Sequence, residues 1–523
     1  MSNSIKLLKM GLISLVLPTC LQAQNVIIST SNSPNEPSIM VDPKNSDHLI
    51  AGANLNNYYT SDDGGETWTE NILTSPQGVW GDPVIDVDTN GNFYFFHLSN
   101  PPTGNWIDRI VCQKTTDLGN TWTLGTYTGL NGTKAQDKQW SIVDRSNNNI
   151  YLTWTQFDEY GSSNPNDSSL ILFSKSLDEG DTWSTPVRVS QQAGNCIDED
   201  DTVEGATPAI GPNGEIFVAW SGPKGLVFNR STDQGDTWLN EEILIDSLTT
   251  GWEYDIPGIN RANGLPVLKC DLSGGPNHGT LYLNWSDQRN GLNNTDVFFS
   301  KSTDGGYTWS DPTLVNDDSG ETHQFFTWMD IDQTTGHLFF IFYDRRHYSP
   351  ITFQTDVYMA ISQDGGTTFE NRRISDAPFV PNPDIFFGDY TNIVAHASKV
   401  HPIWTRLEQG QLSLLTDNTP IDQILSTPEP EVTIDNNQIQ HYPNPITNVS
   451  YVSFKLHQDA QINLEIYDLQ GHLLKVLVED KTMSYGKHII PIQLNDLGLS
   501  SGSYFKKLTI DGEPHVMKVF VVE

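Results

Sequence analysis

Positive charge is what this chain has least of. Only 29 Lys and Arg stand against 65 Asp and Glu, a net charge of −36 at pH 7. Nucleic-acid binders carry a basic footprint, and an anionic membrane surface repels so acidic a chain, so both partner classes are excluded. Cysteine is also scarce, with four in 523 residues. Cys20 lies in the N-terminal apolar stretch, which leaves Cys112, Cys196 and Cys270. Three thiols allow at most one disulfide and leave one free, and small buried thiols are an equal reading. Without His at ligand spacing they do not suggest zinc. Long apolar runs are missing too. Met10 to Leu21 is too short to span a membrane, and no later segment is longer, so no insertion is expected. There is no serine nucleophile elbow, no P-loop and no dinucleotide glycine pattern in a βα setting. Lys6 and Lys9 before the apolar stretch, with Gln22-Ala23-Gln24 after it, read as a secretory signal cut near Ala23.

What is present in abundance is one turn. Ser61 to Trp68, Thr115 to Trp122, Ser176 to Trp183, Ser231 to Trp238, Ser302 to Trp309 and Ser362 to Phe369 all fit [ST]-x-D-x-G-x-T-[WF]. The central aspartates are Asp63, Asp117, Asp178, Asp233, Asp304 and Asp364. Self-similarity at a regular period marks a repeat architecture. The Asp can accept backbone N–H bonds, the Gly can take a positive φ, and the aromatic ring can be buried beside the turn. That makes the block a structural staple.

Each block sits between short strands that are β-branched, aromatic and bounded by Gly, Asn, Asp and Pro, such as Ile216-Phe217-Val218-Ala219-Trp220. Four antiparallel strands per unit, with the Asp turn between the third and fourth, mean propeller blades. First strands start at Pro37, Pro83, Trp140, Pro208, Pro266, Phe326 and Tyr390, which gives seven units. The seventh has no Asp turn and no fourth strand, and Val26 to Thr30 is the expected missing outer strand. The expected fold is therefore all-β, a seven-bladed propeller; six blades with a leftover segment is the alternative.

With these blocks the chain resembles the BNR/Asp-box propeller superfamily, which includes bacterial sialidases, over about 25–417. Where that family's sialidases carry an Arg-Ile-Pro segment, this chain has Asn35-Glu36-Pro37-Ser38-Ile39, without arginine. Composition shifts after Asp417, through Thr427-Pro428-Glu429-Pro430-Glu431, into about 80 residues of short strands that suggest a small β-sandwich. Tyr442-Pro443-Asn444-Pro445, Ile466 to Gly471, Gly502-Ser503-Tyr504 and Lys518 to Val522 resemble the C-terminal sorting domain of type IX secretion in Bacteroidetes. Lys506-Lys507 departs from that family's apolar pattern. The expected layout is signal 1–23, propeller 24–416, linker 417–437 and sorting domain 438–523. The resemblance implies export to the cell surface or medium, with the secretion machinery as a partner.

In a propeller the face opposite the Asp turns gathers function. Three blades place arginines near that rim, Arg289, Arg345 with Arg346, and Arg406. Converged, they would clamp a carboxylate or sulfate; paired with Asp287 and Asp344, they would only hold loops. The approaches to the first strands carry Glu36, Asp82, Asp137, Glu204, Asp255 and Asp389. Two such carboxylates are the machinery of glycoside hydrolysis, and a Tyr nucleophile serves in sialidases. The catalytic candidates are accordingly Asp389, Glu204 and Tyr390. Trp80, Trp140, Trp252, Phe325 and Phe326 are either sugar-stacking platforms or seals between blades. Asp198-Glu199-Asp200-Asp201 would suit Ca²⁺, although it lacks the order of a dedicated calcium loop; no other cofactor or metal is expected. Two functions stay open: a module binding an extracellular glycan or a surface protein, and a sialidase-like glycosidase or a lyase acting on anionic extracellular polysaccharide.

Overall fold

The computed structural model describes residues 25–426 and 439–521, apart from 319, 349–351, 443, 447–448, 457–459, 484–485 and 511–512. The expected signal segment, Cys20 and 427–437 lie outside the described residues. Contacts divide the chain into two units after Ser426.

Seven antiparallel four-stranded sheets make up the first unit. The inner strands are Ser38–Val41, Gly81–Val87, Ala135–Asp144, Glu204–Ile210, Val267–Cys270, Gln324–Asp332 and Asn392–His396. Each packs beside the next, and the last packs beside the first, so the sheets close into a ring. Blade seven is completed from the other end of the chain. Val26–Ser29 pairs antiparallel with Gln411–Thr416, with Val26 opposite Thr416 and Ile27 opposite Leu415. Asn25 extends the clasp, its side chain bonding Ile374 O at 2.8 Å and the Asp376 amide at 2.7 Å. The ring therefore has no open sheet edge at the point where the chain begins and ends it.

The six turns share one geometry. In the fourth, Ser231 Oγ donates to Asp233 Oδ1 (2.7 Å), and the Asp carboxylate accepts from Thr237 N (2.8 Å) and Thr237 Oγ1 (2.6 Å). Those bonds, the Ser231 hydroxyl first, bring the Asp233 carboxyl down to about 2. The turn also ties blades together. Lys114, Lys175, Arg230 and Lys301 of one blade reach Asp181, Asp236, Gly305 O and Gly365 O of the next blade's turn. The turn aromatics pack against the preceding blade, Trp238 on Phe173 and Trp309 on Phe228. Gly306 is why glycine is required there: its φ is 88°, and a Cβ would sit 2.2 Å from the Phe228 ring. Positive-φ strain and overpacking together should make Gly306→Ala cost about 3 kcal/mol in denaturant unfolding. Asp304→Ala, which loses exposed hydrogen bonds, should cost about 1 kcal/mol.

Residues 417–426 correct the expected linker. Asp417 is buried, and Ile421–Ser426 is a short helix whose Ile424 joins the propeller core. The second unit is a sandwich of a three-stranded and a four-stranded sheet around Val452, Phe454, Ile462, Leu464, Ile466 and Leu508. Lys506 is buried in it, its Nζ 3.2 Å from Ser450 Oγ, while Lys507 pairs with Glu465 at 3.3 Å. No described helix is long and apolar enough to cross a membrane.

Candidate functional site

Five of the seven inner strands are entered through a residue in the left-handed region: Glu36 (φ 51°), Asp82 (50°), Lys138 (48°), Gly205 (71°) and Phe326 (50°). Four of these fall where the pairing register shifts by a bulge. For a side-chain-bearing residue this backbone costs on the order of 1–3 kcal/mol, and such strain concentrates at functional sites. Here it turns three charged side chains to the axis on the face opposite the Asp turns.

Lys138 is the hub. Its Nζ lies 2.5 Å from Asp389 Oδ2 and 3.7 Å from both Glu36 Oε1 and Asp82 Oδ2. Arg261, carried on the hairpin Glu253–Tyr254/Ala262–Asn263 between blades four and five, also clamps Asp389, its Nε 2.9 Å from Oδ1. The same guanidinium reaches Asp198 Oδ2 at 3.3 Å, and Tyr160 OH donates to that oxygen at 2.6 Å. Asn54 orders the acids, donating to Glu36 and accepting from the Asp82 amide at 2.8 Å.

The electrostatics divide the carboxyls. Burial works against the Asp389 charge, yet Lys138 and Arg261 hold it well below the usual carboxylate range. Burial, then the Asp82 charge, push Glu36 well up. Burial also raises Asp82 and, with the Asp82 charge behind it, brings Asp137 to about 7. Neither Glu204 oxygen has a conventional donor among the described residues. Burial and the neighbouring Asp198 push Glu204 well up. Environments that drive carboxyl pKa values apart are a hallmark of acid–base sites.

Above this floor opens a cleft of about 410 Å³, lined by Glu36, Asp82, Asp137, Lys138 and Arg261 and walled by Trp80, Trp106, Tyr160 and Phe386. Trp80, Trp106 and Phe386 are 38%, 42% and 38% exposed, unusual for rings of this size. Trp80 meets Trp106 edge-on at 5.8 Å, and Trp106 meets Tyr160 at 5.7 Å.

The sequence-derived candidates fare unevenly. Asp389 and Glu204 join the charged cluster but lie beneath the cleft and do not line it. Tyr390 lines a separate space of about 20 Å³. Its ring packs 5.1 Å from Trp140 and 6.3 Å from Trp328, whose own centroids are 4.3 Å apart. Asp255 stays outside the cluster; its carbonyl accepts from Gln288. The arginines do not converge. Arg289 is held by Asp287 and Asp246 (2.9 Å), and Arg346 by Asp344 (2.8 Å) and Asp317 (2.5 Å). Arg406 lies near Asp376 (3.4 Å) and Glu408 (3.5 Å). Arg345 bonds Pro257 O and Thr355. None of the four lines the cleft. Each already has protein partners, so no clamp is assembled. Of the expected platforms only Trp80 is exposed; Trp140, Trp252, Phe325 and Phe326 are buried. In the acidic loop Asp200 accepts from the Trp252 and Glu253 amides, and Glu199 from Asn195. Among the described residues no group of His, Cys, Asp or Glu is arranged to hold a metal ion. Cys112, Cys196 and Cys270 are all free and buried.

Residues 440–523 match the family model described as "Secretion system C-terminal sorting domain". No curated protein matches the chain. Solved structures similar to it include an alpha-L-arabinanase of Penicillium chrysogenum complexed with arabinobiose. It is 14% identical over 61% of this chain and 92% of that one, at a TM-score of 0.39. The NanB sialidase of Streptococcus pneumoniae is 9% identical over 72% and 84%, at 0.43. A protein of unknown function from Dyadobacter fermentans is 12% identical over 76% and 98%, also at 0.43.

Proposed function

We propose that this is an exported propeller that binds an extracellular saccharide in the cleft, the C-terminal domain directing its passage through type IX secretion. The carrying observation is the pairing of exposed rings at Trp80, Trp106 and Phe386 with a wall of polar, ordered carboxyls. Apolar walls with a few fixed polar groups are the usual make-up of a small-ligand site, and flat rings against hydrogen-bonding acids suit a sugar. A neutral or cationic saccharide fits better than an anionic one, because Lys138 and Arg261 are already committed to Asp389.

Hydrolysis is the second reading. It is favoured by Glu36 Oε1 and Asp82 Oδ2, buried oxygens that have no hydrogen-bond partner among the described residues, on carboxyls whose pKa burial raises. One such acid could protonate a leaving oxygen while an ionised neighbour assists.

A glycan array probed with the purified protein tests the binding reading. Trp80→Ala should weaken the best glycan by about 2 kcal/mol, roughly thirtyfold, with an unchanged melting midpoint. Full binding by that variant would move the ligand elsewhere. Product released by wild type and abolished in Asp82→Asn, with binding retained, would make it a hydrolase.

A further inference from the structure

Resting on the saccharide reading, we infer that the bound sugar carries a protonated amine, as an unacetylated 2-amino sugar does, seated against Glu36 and Asp82 beside the Trp80 and Trp106 rings. The charges of the cleft decide this. Its two cations are spent: Lys138 on Asp389 at 2.5 Å, and Arg261 on Asp389 and Asp198. Nothing is left to receive an acid group. The wall presents three carboxyls, those of Glu36, Asp82 and Asp137. Glu36 is 2% exposed, and its Oε1, like Asp82 Oδ2, has no hydrogen-bond partner. Both oxygens are 3.7 Å from Lys138 Nζ, too far for a hydrogen bond.

A buried carboxyl oxygen without a donor is costly, more so when charged. A sugar hydroxyl brings one proton; an ammonium brings three and a charge, which suits a wall of carboxyls. The neighbouring rings favour the same group, since aromatic faces attract cations. Proton balance supplies an independent signature. Glu36 and Asp82 face Asp137, Asp389, Lys138 and Arg261, and burial raises the pKa of both. A cation entering beside them favours their charged forms, so binding should release protons.

The test is calorimetry at about pH 5.5, where a sugar amine is already protonated and takes up no proton on binding, with glucosamine, N-acetylglucosamine and glucose trisaccharides, each in two buffers of different ionisation enthalpy. The amine-bearing trisaccharide should bind about tenfold tighter than the other two and release protons. Asp82→Asn and Glu36→Gln should each erase most of that preference. They also serve as the control for a chain of net charge −36, because each changes that charge by no more than one and leaves general attraction for cations intact. A preference that survives both variants, or amine binding by wild type without proton release, overturns the inference. Equal binding of the three sugars overturns it while leaving the saccharide reading in place. Binding of none by a folded protein ends both. If the variants fail to fold, proton release by wild type still decides.

Discussion

Deleting residues 25–31 should destabilise the propeller by roughly 5 kcal/mol. The strand Val26–Ser29 supplies a few backbone hydrogen bonds at about 1 kcal/mol each. Burial of Ile28 adds about 2 kcal/mol. The loss is comparable to the lower end of a whole domain's stability. It would expose Gln411–Thr416 as an unpaired edge and cut the clasp of Asn25 to Ile374 and Asp376. For a unit of this size the melting midpoint should fall by about 6 °C or more, and the opened edge should promote aggregation. Deleting 438–523 should leave the propeller transition where it was and abolish export. Calorimetry of the two truncations beside the full chain measures both. An N-terminal truncation that melts like the parent would contradict closure of the ring by this strand.

Lys138→Met should cost about 3–5 kcal/mol in denaturant unfolding, the usual result of removing one partner from a buried ion cluster. The cost should depend on pH in a defined direction. Asp389 has a depressed folded pKa, so it contributes stability above its unfolded value near 4, which is lost as pH falls toward the folded value. Without Lys138 that depression shrinks and Glu36 and Asp82 rise further, since Lys138 lowers all three. The deficit of the variant should therefore be largest at neutral pH and shrink below about pH 4. A deficit that is flat with pH would mean that Lys138 acts through packing alone. The chain stem of lysine retained by methionine makes that comparison direct.

The ring was legible in the sequence because its rules are local and repeated. A turn needs the Ser, Asp, Gly and Trp of Ser231 to Trp238 at fixed offsets, and six copies report one another. The closing strand was legible by subtraction, since blade seven lacked a fourth strand. The site was legible in part. Scanning the approaches to the inner strands found Glu36, Asp82, Asp137, Glu204 and Asp389, because every blade is entered at a corresponding place and these acids cluster within a residue or so of it. It missed Lys138, which holds the same position in blade three but carries the opposite charge. A search for matching positions of any charge would have found it. Arg261, Trp106, Tyr160 and Phe386 come from loops with no repeated pattern, so only the fold shows that they meet. Of the two readings open for the rim arginines, local pairing holds at Arg289 and Arg346, because an aspartate two residues before each, Asp287 and Asp344, satisfies it.

Hydrogen exchange of the purified protein, with and without the saccharide picked out by the array, bears most directly on where the ligand sits. Binding in the cleft predicts slowed exchange at 32–36, 54–55, 80–82, 105–107, 160 and 261, the backbone around its lining residues. The Asp turns and the C-terminal sandwich should not change. Protection confined to the Asp-turn face or to 439–521 would contradict the cleft as the binding site.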